Sequence, residues 1–186
     1  YDYNAGTLYD SVVSGVQFGF PSQYQAVEYI ESTDRQNIID TGFVYTNKTK
    51  FILDVQYTDI SQEQENGGTE TNRCFAGVAS SKFAFGIGSA SFASSITADT
   101  QRHTQFVDLK NNKYGLDNTL LSSSGTVSSN VGARIALFAR YNKGNYELKC
   151  KQKLYGCKIY DDDVLVRNLI PCYRKSDNVI GLFDMV

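Results

Sequence analysis

Apolar residues in this chain recur at every second position and almost nowhere with a helical period. In Phe51–Tyr57, Phe51, Leu53, Val55 and Tyr57 fall on one face and Ile52, Asp54 and Gln56 on the other. That is the pattern of a strand with one face buried. Ile135-Ala136-Leu137-Phe138-Ala139 is apolar on both faces, which suits a central strand covered on both sides. Turn-forming clusters separate these runs: Asn66-Gly67-Gly68, Asp117-Asn118, Ser122-Ser123-Ser124-Gly125, Asn142-Lys143-Gly144-Asn145 and Asp161-Asp162-Asp163. With only two prolines, the strands keep their ladder donors. The pattern predicts an all-β fold, an antiparallel sandwich or jelly roll.

At 186 residues one domain is expected. Residues 1–22, with glycines among tyrosines and Pro21 near the end, read as an N-terminal arm or linker, and residues 23–186 as the β-sandwich domain. Ser61 to Asn72 is polar throughout and reads as an exposed hairpin loop. Leu154–Tyr160 and Val164–Ile170 flank the acidic tip as a hairpin. The only Met is Met185, so the chain reads as a processed protein or a piece of a longer one. No signal-peptide pattern is visible.

Charge and hydropathy exclude two classes of partner. A net charge of −2 leaves nothing to neutralise a run of phosphates, so a nucleic-acid partner is not expected. The most apolar uncharged stretch, Phe83 to Ala98, is broken by Gly and Ser, so neither is membrane insertion.

Candidate chemistry is sparse. Cys74, Cys150, Cys157 and Cys172 form no C-x-x-C pair and lie far from the single histidine, which disfavours a metal site. They read either as small hydrophobes on strands or, in a secreted protein, as disulfide partners. A hydrolase of serine or cysteine type would need His103 as its base, but His103 sits where a strand begins and reads as a half-exposed strand residue. A glycoside hydrolase needs two carboxyl groups across one cleft. Glu28 and Glu31 are three apart and face opposite ways on a strand, and the three aspartates crowd a turn. No enzyme activity is expected. Asp161, Asp162 and Asp163 could ligate Ca²⁺, against the plainer reading of a solvated acidic turn. Asn47-Lys48-Thr49 matches a glycosylation sequon of the kind that recurs by chance. The aromatics remain: Tyr and Phe without any Trp. Sugars stack their C–H faces on such rings while polar side chains hold the hydroxyls. Phe83, Phe85, Tyr141 and Asn142 are the candidate ligand contacts on that chemistry.

From Pro21 onward, ordered blocks resemble a family of bacterial and phage modules with the laminin-G-like, concanavalin A-like jelly roll. Pro21-Ser22-Gln23-Tyr24-Gln25-Ala26-Val27-Glu28-Tyr29-Ile30-Glu31-Ser32-Thr33 is similar to the family's opening segment, and Asn37-Ile38-Ile39-Asp40-Thr41-Gly42 to its Y-I-D-T-G strand. Arg102-His103-Thr104, Asn111-Asn112-Lys113-Tyr114 and Ile135–Ala139 resemble further family strands. Lys158-Ile159-Tyr160-Asp161, Leu165–Cys172 and Ile180–Asp184 resemble its closing blocks, with Asp162-Asp163 where an Asn-Gly turn is usual and Asn168 where Asp is usual. The resemblance implies a two-sheet antiparallel jelly roll, with His103 in a structural strand motif and Cys157 and Cys172 in the core. It further implies a non-enzymatic carbohydrate-binding or adhesion module, with a lectin-like role on a virion surface or extracellular cell surface. Its partners would be a cell-surface glycan or cell-wall polysaccharide and other virion or surface-protein subunits. The alternative is a structural or assembly module that packs against other subunits without binding glycan.

Overall fold

A computed structural model describes residues 20–69, 72–117, 119–128 and 133–186. Most of the expected N-terminal arm, residues 1–19, lies outside the described residues. The early strands are β1 (Tyr24–Ala26), β2 (Ile30–Ser32), β3 (Ile39–Val44), β4 (Thr49–Tyr57), β5 (Gln64–Gly68) and β6 (Arg73–Ala79). Next come β7 (Lys82–Gly88), β8 (Ala90–Thr97), β9 (Arg102–Asp108), β10 (Lys113–Leu116), β11 (Thr119–Ser122) and β12 (Arg134–Leu137). The last are β13 (Arg140–Asn142), β14 (Asn145–Glu147), β15 (Gln152–Asp161), β16 (Val164–Arg174) and β17 (Ile180–Asp184). No helix occurs among the described residues, and none is long and apolar enough to cross a membrane.

The strands form two sheets. The first runs β1-β16-β15-β4-β9-β10-β11, with β17 added to β16 and β2 to β15. The second runs β14-β13-β5-β6-β7-β8, with β12 joining β3 to β5. Pairing is antiparallel except where β13 lies parallel to β5. The alternation read from Phe51–Tyr57 holds: Phe51, Leu53, Val55 and Tyr57 are buried between the sheets. Each such side chain contributes about 1.5–3 kcal/mol on leaving water. They meet Ile87, Ile135, Leu137, Leu154 and Ile159 in one core, the packing of a β-sandwich.

Three sequence expectations need correction. Asn66-Gly67-Gly68 is not a turn, and Ser61–Asn72 is not an exposed loop, because Gln64–Gly68 forms the buried strand β5. Its polar residues are buried in pairs. The Asn66 and Gln152 amides bond each other reciprocally, at 2.9 and 2.8 Å, and Asn66 Oδ1 also accepts from the Phe138 N–H at 2.8 Å. Its glycines permit close approach, since a Cβ on Gly67 would lie 2.1 Å from the Cys74 carbonyl oxygen. The third correction concerns Ile135–Ala139. All five residues are buried, but β12 ends at Leu137, and Phe138 turns the chain with φ 63°.

The acidic tip is a two-residue hairpin turn with positive φ at both Asp162 (50°) and Asp163 (68°). The four cysteines are buried free thiols, so of the two readings the small-hydrophobe one applies here. At the domain's start, Phe20 and Tyr24 each pack against Phe183 with ring centres 5.1 Å apart.

Candidate binding site

Two strand edges from different sheets face each other at one end of the sandwich. Among the described residues β3 pairs only with β12, and β17 only with β16. Between them runs a groove of about 350 Å³. Ile38, Ile39, Asp40 and Thr41 line one wall, and Arg167, Leu169, Leu182 and Asp184 the other. The β3 wall is fixed locally. Thr41 donates its hydroxyl to the Ile135 carbonyl at 2.7 Å, and the Gly42 N–H donates to Asp40 Oδ1 at 2.8 Å. Gly42 itself has φ 69°, a conformation that suits glycine.

Asp40 links this groove to the β13–β14 hairpin. Its Oδ2 accepts from Arg134 Nη1 at 2.7 Å and from the Tyr146 hydroxyl at 2.9 Å. Burial pushes the Asp40 carboxyl up, but the bonds from Arg134, Gly42 and Tyr146 outweigh it and hold the group below the usual range. Tyr146 stands directly across the hairpin from Tyr141, ring centres 5.5 Å apart and nearly perpendicular. Behind them Arg140 clamps the hairpin to β5, with Nη1 to Glu65 and Nη2 to Glu147, both at 2.7 Å. Burial raises Glu65 to about 6, only partly offset by Arg140, while the Arg140 bond lowers Glu147.

The four residues chosen from chemistry part company here. Phe83 and Phe85 are fully buried on β7, and their rings are covered by His103 (5.0 Å) and Tyr114 (4.8 Å). They offer no ring face to a ligand. Period-two spacing put both on one strand face; that face is the core. Tyr141 and Asn142 are half-buried on β13 and are not among the residues that line the groove. Sequence reasoning missed Asp40, Arg134, Tyr146, Arg167 and Asp184. Only Tyr146 had a local signal: a two-residue turn at Lys143-Gly144 pairs Tyr141 with Tyr146.

The other candidates are already engaged. His103 is held between Asp117 (2.7 Å) and Asp99 (2.9 Å), so neither ring nitrogen is poised to take a proton from a nucleophile. At the acidic tip Asp162 pairs with Lys48 and Lys110, Asp163 with Lys110, and Asp161 accepts from the Thr46 and Thr49 hydroxyls. A cation there would compete with two ammonium groups. Among the described residues no cluster of His, Cys, Asp or Glu is arranged to hold a metal. Comparisons with protein-family models, curated proteins and solved structures find no match for this chain.

Proposed function

We propose that this protein is a non-enzymatic carbohydrate-binding or adhesion module of the concanavalin A-like jelly-roll kind, displayed on a virion or cell surface. The observation that carries the reading is the tyrosine pair Tyr141–Tyr146, whose Tyr146 hydroxyl bonds Asp40, a groove-lining carboxylate that also pairs with Arg134. Half-buried rings beside fixed donors and acceptors are what a sugar needs, with apolar C–H faces against the ring and hydroxyls against the polar groups. Glu65, a buried carboxylate with a raised pKa, and Glu147 both bond the Arg140 guanidinium. Both are thus engaged by one cation rather than facing each other across an open cleft, which favours binding over hydrolysis.

A glycan array with the whole chain, run with and without Ca²⁺, tests the proposal. Binding to at least one glycan, lost in Tyr141→Ala and weakened in Tyr146→Phe, is expected. An array with no signal in either condition overturns it. Single-site affinity should be weak, so display in many copies would supply avidity.

The second reading, an assembly module, has its own observation: the Phe20–Tyr24–Phe183 cluster fastens the start of the domain to the edge strand β17. It predicts that removing residues 1–19 abolishes assembly with neighbouring subunits while the domain still folds. Normal incorporation of the truncated chain rejects it.

A further inference from the structure

We infer that the groove between β3 and β17 takes an acetamido group, so that the ligand class is a glycan bearing N-acetylated amino sugars. The inference rests on the carbohydrate reading of the adjoining tyrosine pair and goes on to assign the chemistry the groove selects. A neutral hexose is polar around its rim, with hydroxyls on most of its ring carbons to satisfy. The groove is mixed instead. Ile38, Ile39, Leu169 and Leu182 supply aliphatic surface, while Asp40, Thr41, Arg167 and Asp184 supply polar groups. Hydroxyls against those aliphatic side chains would lose water without gaining partners. An acetamido group divides the same way as the groove: a methyl, an N–H donor and a carbonyl acceptor.

The polar groups are already set for an amide. Asp184 Oδ1 accepts from the Asn168 and Val186 backbone N–H groups at 2.9 and 3.2 Å, which fixes the carboxylate. Arg167 places Nε 3.4 Å from Asp184 Oδ2 and gives Nη1 to the Val166 carbonyl at 2.8 Å. Its remaining Nη2 is the donor for a ligand carbonyl, beside a carboxylate that accepts the amide N–H. On the opposite wall Asp40 accepts from the Tyr146 hydroxyl, so one carboxylate belongs to both the groove and the tyrosine pair. At about 350 Å³ the groove is of the size of clefts that take small ligands.

The test titrates the full chain with three sugars that differ at one position. They are the N-acetylglucosamine trimer, its deacetylated glucosamine counterpart and the glucose trimer, with an acetyl-lysine peptide as a fourth probe. Calorimetry should show the acetylated trimer bound at least about ten-fold more tightly than either other sugar, because a site built for an amide rejects analogues that lack it. Ile38→Asn and Arg167→Gln, each at a half-buried position, should each bring the preference to within about two-fold while thermal unfolding confirms the fold. Equal binding of the three trimers, or an acetyl-lysine peptide bound as tightly as the acetylated trimer, overturns the inference and leaves the carbohydrate reading standing in the first case. Binding of no sugar in the panel or on an array defeats both.

Discussion

An imidazole with a carboxylate on each nitrogen is biased toward its charged form, and His103 is in that position. Burial pulls its pKa down, but the bonds and charges of Asp117 and Asp99 outweigh this and the net shift is upward. A raised folded-state pKa adds stability that is complete below the unfolded value, about 6.5, and is lost as pH rises through the folded one. His103→Gln should therefore destabilise the domain most at mildly acidic pH, and urea unfolding at a series of pH values should show a flatter slope than the parent above 6.5. Equal slopes would remove His103 from the account. Glu65 acts in a lower window. Its burial holds the carboxyl at about 6 against an ordinary 4.5, so the folded state keeps a proton that the unfolded chain has released. Stability from this group rises as pH falls from about 6 toward 4.5, by up to about 2 kcal/mol. Glu65→Gln should erase that gain without touching the His103 window. Below that range the depressed carboxyls of Asp40 and Asp59 work in the opposite direction.

At the scale of strands and turns, what could be read from the sequence depended on how locally each element is determined. The β15–β16 hairpin was legible because its alternating strands and acidic tip are contiguous. The Ser80-Ser81 turn between β6 and β7 was not, since positive φ at 51° and 58° is adopted there without the Gly, Asn or Asp that usually marks it. Strand β5 was misread for the opposite reason. Its Gln-Glu-Asn-Gly-Gly composition is that of a loop, and only partners from distant segments, Gln152 and Arg140, let those side chains be buried. The left-handed turn at the acidic tip makes a quantitative prediction. Asp163 sits at φ 68°, where a residue with a Cβ is strained by about 1 kcal/mol and glycine is not. Its contact with Lys110 is solvent-exposed and therefore of small value, and Lys110 retains Asp162 at 2.8 Å. Asp163→Gly should raise the urea midpoint by an amount worth about 0.5–1 kcal/mol, with an unchanged m value. A lowered midpoint would mean that the exposed ion pair outweighs the backbone strain.

For the whole molecule, period-two alternation sufficed for the sandwich but not for its site. The site's contacts cross the topology: Arg134 reaches Asp40 over 94 residues and Tyr146 reaches it over 106. No spacing rule within one segment encodes such a meeting, which exists only once β3, β12 and β14 are brought together in the second sheet. The same placement has an energetic consequence. The groove has one wall from β3, in the second sheet, and the other from β16 and β17, in the first. A ligand seated there contacts both layers and has no equivalent site in the unfolded chain. Its binding free energy therefore adds to global stability, by about 1.4 kcal/mol at ten times the dissociation constant. For a domain of this size that corresponds to a rise of about 3–6 °C in the unfolding midpoint. The N-acetylglucosamine trimer should produce this shift in the parent chain and not in Ile38→Asn, while the glucose trimer at the same concentration produces less. A saturating acetylated ligand that leaves the midpoint unmoved would show that it does not engage the folded groove, however it behaves on an array.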